Sequence, residues 1–292
     1  MNSQCSSLRS ATVRLPGTCG EWVQGTLDGV PCLVSCAIDW YAEITVLVGA
    51  DGCVRADCRP PLQHAPKAAA ALRLALAARH AQDAEARLEL RNPLPRSRGY
   101  ASSTADVAGA IYATGAALGQ PFTPEEVARL AVQVEPSDST IFPRPTLFAH
   151  RDARFWRPLP PLPLLAVVIL DPGGEVDTLA FNAADHTAAL RRLAPAHRDA
   201  FDRFEAGLAT NDPVEVARAA TESARLHQAI LPSGLVDAAL ESYARLGALG
   251  ICRAHSGTLV GLICQPEDAT EIAQRARVHF PGIVVCAHRC LT

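Results

Sequence analysis

Apolar positions recur at helical spacing most clearly between Asn92 and Gly119, where Val107/Ala108, Ile111/Tyr112, Gly115 and Leu118 fall three and four apart. A proline-punctuated basic loop, Pro93 to Arg98, leads through Gly99 into Ala101-Ser102-Ser103-Thr104. Ser103 with Asp106 three residues on is a capping-box signature, so the helix is predicted to start at Ser102 or Ser103. An alanine-rich helix is expected over Pro66 to Ala81, with Ala69, Leu72 and Leu76 on one face. Thr123-Pro124-Glu125-Glu126 starts another: threonine cap, proline first, glutamate third. It runs to about Val134 and delivers Glu135-Pro136-Ser137-Asp138-Ser139-Thr140. Further helical stretches are His186 to Ala194, Pro195 to Ala209, Pro213 to Ile230 (capped by Asp212), Leu235 to Leu246 and Pro266 to His279.

Strand patterns fill the intervals. Ala11 to Leu15 reads as a short strand broken by Pro16-Gly17, and Pro16 to Gly25 as a turn-rich loop. Val30 to Ile38 and Tyr41 to Val48 are two strands joined near Asp39-Trp40, and Arg87 to Arg91 is another. Phe155 to Pro163, with four prolines, is expected to be a stiff connector. Leu164 to Leu170 is a buried strand. Ile251 to Ala254, a turn at His255-Ser256-Gly257, Thr258 to Cys264 and Ile283 to His288 complete the pattern of a split β-α-β lobe.

Composition narrows the class. A chain of 292 residues is long enough for two lobes. A net charge of −3 argues against a nucleic-acid partner, which demands a clear basic surplus. The first residues hold no apolar segment of a signal peptide, and the apolar run Leu162 to Leu170 is too short to span a bilayer. A cytoplasmic protein without a membrane partner is therefore expected. Ten cysteines, among them the pairs Cys32/Cys36, Cys53/Cys58 and Cys286/Cys290, form no C-x-x-C unit. Reduced thiols are expected. Lys67 is the sole lysine.

Three stretches offer chemistry. The helix start after Gly99 presents unpaired N–H groups, a positive dipole end and cap hydroxyls, with two arginines upstream: a cradle for a polyphosphate, or simply a serine-rich cap. It matches neither G-x-x-x-x-G-K-[ST] nor G-x-G-x-x-G. Glu135 and Asp138 sit three apart after a helix, one suited to hold a metal and the other to accept a proton; these residues alone favour a solvated helix end with an Asx-turn. Negative charge at a helix C-terminus is unfavourable, which points to a cation there. Glu21, Trp22 and Gln24 put a charge, an apolar face and an amide together, as a substrate loop or a hairpin connection would.

With these motifs in place the chain resembles the GHMP kinase superfamily, and within it the L-threonine kinases associated with propanediol utilisation and cobalamin synthesis. The superfamily's P-x-x-x-G-L-G-S-S-A-A motif is matched by Pro95, Gly99, Ser102, Ser103 and Ala105, with Tyr100, Ala101 and Thr104 as departures. Pro16-Gly17 with Gly20-Glu21 corresponds loosely to the first motif, and Ala254 to Leu262, keeping Ser256, Gly257 and Gly261, to the third. The resemblance implies an α+β, two-lobed fold: a ribosomal-S5-domain-2-like lobe over 1–157 and a ferredoxin-like lobe over 158–292. It implies ATP-dependent phosphorylation of a small molecule's hydroxyl. Pro95, Arg98, Gly99, Tyr100, Ala101, Ser102, Ser103 and Thr104 would hold ATP; Ser103 and Glu135 would hold Mg²⁺; Asp138 would be the base. Glu21, Gln24, Ser256, Gly257 and Thr258 would face the substrate, expected to be an amino acid, L-threonine. Homoserine, serine, a sugar or a mevalonate-type alcohol remain as acceptors, a non-catalytic S5-like RNA-binding protein remains as a different class, and a homodimer is left open.

Overall fold

The computed structural model describes residues 9–49, 65–174 and 186–292. The pair Cys53/Cys58 and the first eight residues lie outside them. The hairpin that frames the molecule turns on Asp28-Gly29, whose φ angles of 51° and 79° are those a two-residue I′ turn requires. It joins β1 (Arg9–Leu27) to β2 (Val30–Gly49). Pro16 to Gly25 is therefore strand and not loop, and Asp39-Trp40 lies inside one long strand instead of joining two. What the glycines and proline of β1 do is break its register: shifts fall between Pro16/Thr18, Thr18/Glu21 and Glu21/Val23. Such bulges bend a strand and re-aim its side chains, and here they turn Glu21 into the interior, 3% exposed.

β3 (Glu85–Arg91) pairs with β2, as do β4 (Thr146–Phe148) and, through β4, β5 (Trp156–Pro158). The proline-rich segment thus contributes a short edge strand, a place where the missing N–H of proline does no harm. β6 (Ala166–Asp171), β7 (Gly250–Arg253), β8 (Val260–Cys264) and β9 (Val284–Arg289) form an antiparallel group in the order β7-β8-β6-β9. Helices separate β6 from β7 and β8 from β9, which is the ferredoxin-like arrangement. The fold is α+β. Glu21 pairing with Arg253 links β1 to β7, so among the described residues all nine strands share one sheet.

The helices follow the apolar periodicity: α1 (Pro66–Ala78), α2 (Ser102–Leu118), α3 (Pro124–Ala131), α4 (Thr187–Ala209), α5 (Pro213–His227), α6 (Gly234–Leu246) and α7 (Ala269–His279). Thr123 and Glu126 close the expected capping box, and Asp212 caps α5 through Val214 and Glu215. Pro195 does not divide two helices; it lies within α4. The Ser103/Asp106 box does not form either. Ala101, in the left-handed conformation at φ 58°, is the N-cap of α2 and makes no side-chain cap bond. α2 buries nearly its whole surface against β1, β2 and α1, and Trp22 stacks on Phe204 of α4 at 6.3 Å. The described cysteines are free, and none of the described helices is long and apolar enough to cross a membrane.

Gly20 sits where β1 meets β7, at φ +63°, and a Cβ there would stand 2.2 Å from the carbonyl of Arg253. Neither backbone has room to yield, so Gly20→Ala is expected to cost about 3 kcal/mol or more, in the range reserved for severe core defects. Thermal unfolding of the variant measures it; a melting temperature within a degree of wild type contradicts the packing described.

Candidate active site

Three chain segments meet as bare backbone. The carbonyl of Arg98 accepts from Thr258 N–H (3.0 Å) and Leu259 N–H (3.2 Å), and that of Gly99 from Gly20 N–H (3.3 Å) and the Thr18 hydroxyl (2.9 Å). Thr18 N–H reaches the Tyr100 carbonyl at 3.1 Å. A Cβ on Gly99 would fall 2.4 Å from that of Ala254, and one on Gly257 would fall 2.2 Å from the Arg98 oxygen. Only glycine permits these approaches. The loop so held is set by Asn92, whose Oδ1 accepts from Leu94 N–H and whose Nδ2 donates to the Ser102 carbonyl (2.9 Å) and Asp106 (2.8 Å). The uncapped start of α2 is thereby aimed into a cavity of about 330 Å³.

Two clusters of acid face that cavity. In the first, the Ser103 hydroxyl donates to Glu135 Oε1, and Lys67 at the start of α1 reaches Glu135 Oε2 at 2.5 Å. In the second, Thr104 Oγ1 donates to Asp138 Oδ2 at 2.6 Å while Asp138 N–H donates back to Thr104 Oγ1 at 3.1 Å. Asp138 opens a single 3₁₀ turn, Ser139–Ile141, and does not form the Asx-turn that its sequence neighbours suggest. Glu21 comes from the bulged strand to stand beside it.

Residues 66–142 match the family model described as the GHMP kinases N terminal domain, and residues 204–282 match that of the GHMP kinases C terminal. The chain is 31% identical over 259 residues to the L-threonine kinase of Salmonella typhimurium, covering 87% of this chain and 82% of the relative. It is 31% identical over 253 residues to the L-threonine kinase of Citrobacter freundii, covering 87% and 86%. The chain is a GHMP kinase. Solved structures share its fold at lower identity. A homoserine kinase from Cytophaga hutchinsonii superposes with a TM-score of 0.74 at 18% identity, covering all of this chain and 96% of the other. A mevalonate kinase from L. major, in complex with R-mevalonate, gives 0.73 at 14%, covering 100% and 99%. As a GHMP kinase it is an ATP-dependent enzyme with a hydroxyl acceptor, which sets aside the RNA-binding alternative.

Of the residues expected at the kinase's site, Gly99 to Thr104, Glu21, Glu135, Asp138 and Ser256 line the cavity. Pro95, Arg98, Gln24, Gly257 and Thr258 do not. The Arg98 guanidinium turns to Asp171 (3.1 Å), which also accepts from the Tyr100 hydroxyl (3.1 Å). Gly257 and Thr258 serve the backbone junction. Gln24 accepts at Oε1 from His255 Nδ1 at 2.7 Å, while its Nε2 faces the Arg253 carbonyl, so it orients His255, which does line the cavity. Arg96, one of the two arginines upstream of the helix, lines it as the cradle reading expected, and Lys67 and Asp106 line it without having been expected there. Lys67 is the cation that the acidic end of α3 called for; its partner lies 68 residues away.

The two acid clusters differ in charge balance. Glu135 has a lysine against it, whereas among the described residues Glu21 and Asp138 have only each other and neutral hydroxyls. Burial raises the pKa of Glu21 well above the carboxylate range, and Asp138 raises it further. Burial also raises Asp138, against the lowering effect of the Thr104 hydroxyl. Two buried carboxyls side by side hold on to a proton as a pair. The remaining features fit the family's ligands. Uncapped N–H groups at α2, with Lys67 and Arg96 nearby, suit a triphosphate. The oxygens of Ser103 and Glu135 are hard donors of the kind Mg²⁺ takes alongside phosphate oxygens and water. Among the described residues no cluster of three or more acidic, histidine or cysteine ligands forms a self-sufficient metal cage.

Since the folded pKa of Glu21 lies above its unfolded value of about 4.3, this group is neutral at no cost below that pH. It takes stability away as pH rises from there toward the folded pKa, at about 1.4 kcal/mol per pH unit. Glu21→Gln keeps the shape and cannot ionise. The melting temperature of the variant should therefore gain on wild type progressively from pH 5 to pH 8. A constant difference across that range rules out a protonated Glu21.

Proposed function

We propose that this kinase transfers the γ-phosphoryl group of ATP to the side-chain hydroxyl of L-threonine, giving O-phospho-L-threonine and ADP, in the cytoplasmic synthesis of the aminopropanol unit of cobalamin. The observation that carries the reading is Asp138 set beside the start of α2: a proton acceptor next to a phosphate cradle. Identity of 31% to L-threonine kinases along most of the chain supports threonine as the acceptor. Asp138 would take the proton of the attacking hydroxyl, with Thr104 fixing its other oxygen. Desolvation makes it a stronger base than a surface aspartate. Glu21, neutral in the free enzyme, stands where the ammonium of an amino acid would approach. A positive charge arriving there favours ionisation of both carboxyls, so the correct substrate would itself arm the base. Mg²⁺, held by Ser103 and Glu135, would neutralise phosphate charge. Lys67 and Arg96 add cationic charge at the same end of the cavity.

The substrate is tested by ADP release across amino acids, sugars and mevalonate derivatives. L-threonine should be turned over in preference to serine, by roughly 10- to 200-fold at most, because one methyl group is all that separates them. Release with mevalonate or galactose and none with threonine refutes the assignment.

Magnesium titration of two variants separates the acids. Glu135→Gln should lose activity at low magnesium and recover in part as magnesium is raised, since one charged ligand is gone while the others remain. Asp138→Asn should lose roughly 10²- to 10⁴-fold in turnover with no recovery at any magnesium concentration. Near-normal turnover in Asp138→Asn means that the hydroxyl loses its proton without an enzyme carboxylate.

A further inference from the structure

On the far side of His255 lies a second, much smaller cavity of about 20 Å³, lined by His150, Arg151, His186, His227 and His255 among others. It has room for one or two small polar groups. His255 lines both this cavity and the larger one. His150 is 3% exposed, and neither of its ring nitrogens has a hydrogen-bond partner among the described residues. The buried Nε of Arg151 likewise has none, and no acid lies within ion-pair distance of this side chain among the described residues. Arg253, 2% exposed, is held by the neutral oxygens of Gln228 (2.7 Å) and Ala254 (3.3 Å). The rings of His150 and His227 stand 4.9 and 5.3 Å from that of His255.

This is an unusual balance for a protein interior. A buried polar side chain left without partners costs free energy, and cations buried without acids cost more. The region is positive, whereas the neighbouring cavity holds Glu21, Asp138 and Glu135. Burial pushes His255 down to about 3 and His150 well below its ordinary value, and the charge of Arg151 lowers both further. These rings are neutral at working pH, each with one N–H donor and one acceptor nitrogen. Among the described residues the full positive charge thus rests on the arginines, and a small anion would balance Arg151.

We infer that Arg151 and His150, with His255 and His227 beside them, form the subsite for the α-carboxylate of the amino-acid substrate. The inference rests on the reading of the acceptor as threonine. Ser137, next to the proton acceptor Asp138, donates its N–H to the His150 carbonyl at 2.9 Å, so the proposed anion site abuts the segment that carries the base. Threonine's hydroxyl is on the carbon adjacent to the one bearing carboxylate and ammonium, and all three groups must be met within a few ångströms. Asp138 would face the hydroxyl, Glu21 the ammonium, and Arg151 the carboxylate. An arginine suits that last task because its planar fork matches a carboxylate's two oxygens.

The test compares L-threonine with L-threoninol, which keeps the side-chain hydroxyl and ammonium and lacks the carboxylate, in wild type, Arg151→Gln and Arg151→Lys. Wild type should prefer threonine in kcat/KM. Arg151→Gln should raise KM for threonine about tenfold or more, as loss of a charge-assisted hydrogen bond does. The preference over threoninol should collapse with it, and KM for ATP serves as the internal reference. Arg151→Lys should recover part of the loss. Calorimetric titration of L-threonine into the enzyme without ATP should show the same order of affinities. A wild-type KM and undiminished preference in Arg151→Gln overturn the subsite while leaving threonine as the substrate; the cavity is then a structural water site. A wild type that accepts alcohols without a carboxylate and no amino acid overturns both readings.

Discussion

The site depends on three glycines that let backbone touch backbone. Gly20 on β1, Gly99 in the loop before α2 and Gly257 after β7 each occupy a position where a Cβ would lie within 2.4 Å of a neighbouring strand or loop. Around them five hydrogen bonds tie the carbonyls of Arg98, Gly99 and Tyr100 to Thr18, Gly20, Thr258 and Leu259. Each is worth only about 1 kcal/mol net, but a buried carbonyl left unpaired costs more than that, so the junction forms as a unit or not at all. Through it the two ends of the sheet hold one loop, and that loop fixes where α2 begins. The backbone N–H groups at the start of α2 have no flexible side chain to correct their aim. Their accuracy is that of the junction.

Charge placement follows from what this frame leaves exposed to the cavity. Glu135 leaves α3 toward the open side, where Lys67 and Ser103 meet it. Asp138, three residues on, is carried inward by the turn that follows and, among the described residues, meets Thr104 and Glu21. One carboxylate therefore has a cation beside it, and the other shares its environment with a second acid. Differences of this kind let two neighbouring acids take different tasks at one pH. The bulges of β1 are the structural cause, because a regular strand would alternate its side chains and could not turn Glu21, Trp22 and Val23 all to the interior.

Helices were the legible part of the fold. α2, α3 and α5 announce themselves by periodicity and, for the last two, by cap residues whose bonds are local. Where the sequence misled, a local pattern lost to a distant partner. Ser103 and Asp106 have capping-box spacing, yet Ser103 bonds to Glu135 and Asp106 to Asn92, so neither is available to the helix end. Pro16, Gly17, Gly20 and Gly25 read as a turn because glycine most often serves turns; here Gly20 serves contact between strands. The Asp28-Gly29 turn was visible in the residues and was the stronger signal. Lys67 had no local signature, since the partner that places it, Glu135, lies 68 residues along the chain.

Gln24 shows how a residue outside the cavity can matter to it, because it holds His255, which lines it. Gln24 touches neither the phosphate cradle nor the acids, but its side-chain oxygen fixes the His255 ring from one side and its nitrogen faces the Arg253 carbonyl on the other. The backbone carbonyl of His255 accepts from His227, at the end of α5. A residue from β1, one from the β7 turn and one from α5 are thus locked into a single chain of contacts across the link between β1 and β7. The wall between an acidic cavity and a basic one is built from neutral groups, and it must be. A charged wall residue would favour one side at the other's expense, whereas a neutral imidazole offers one donor and one acceptor without shifting either balance.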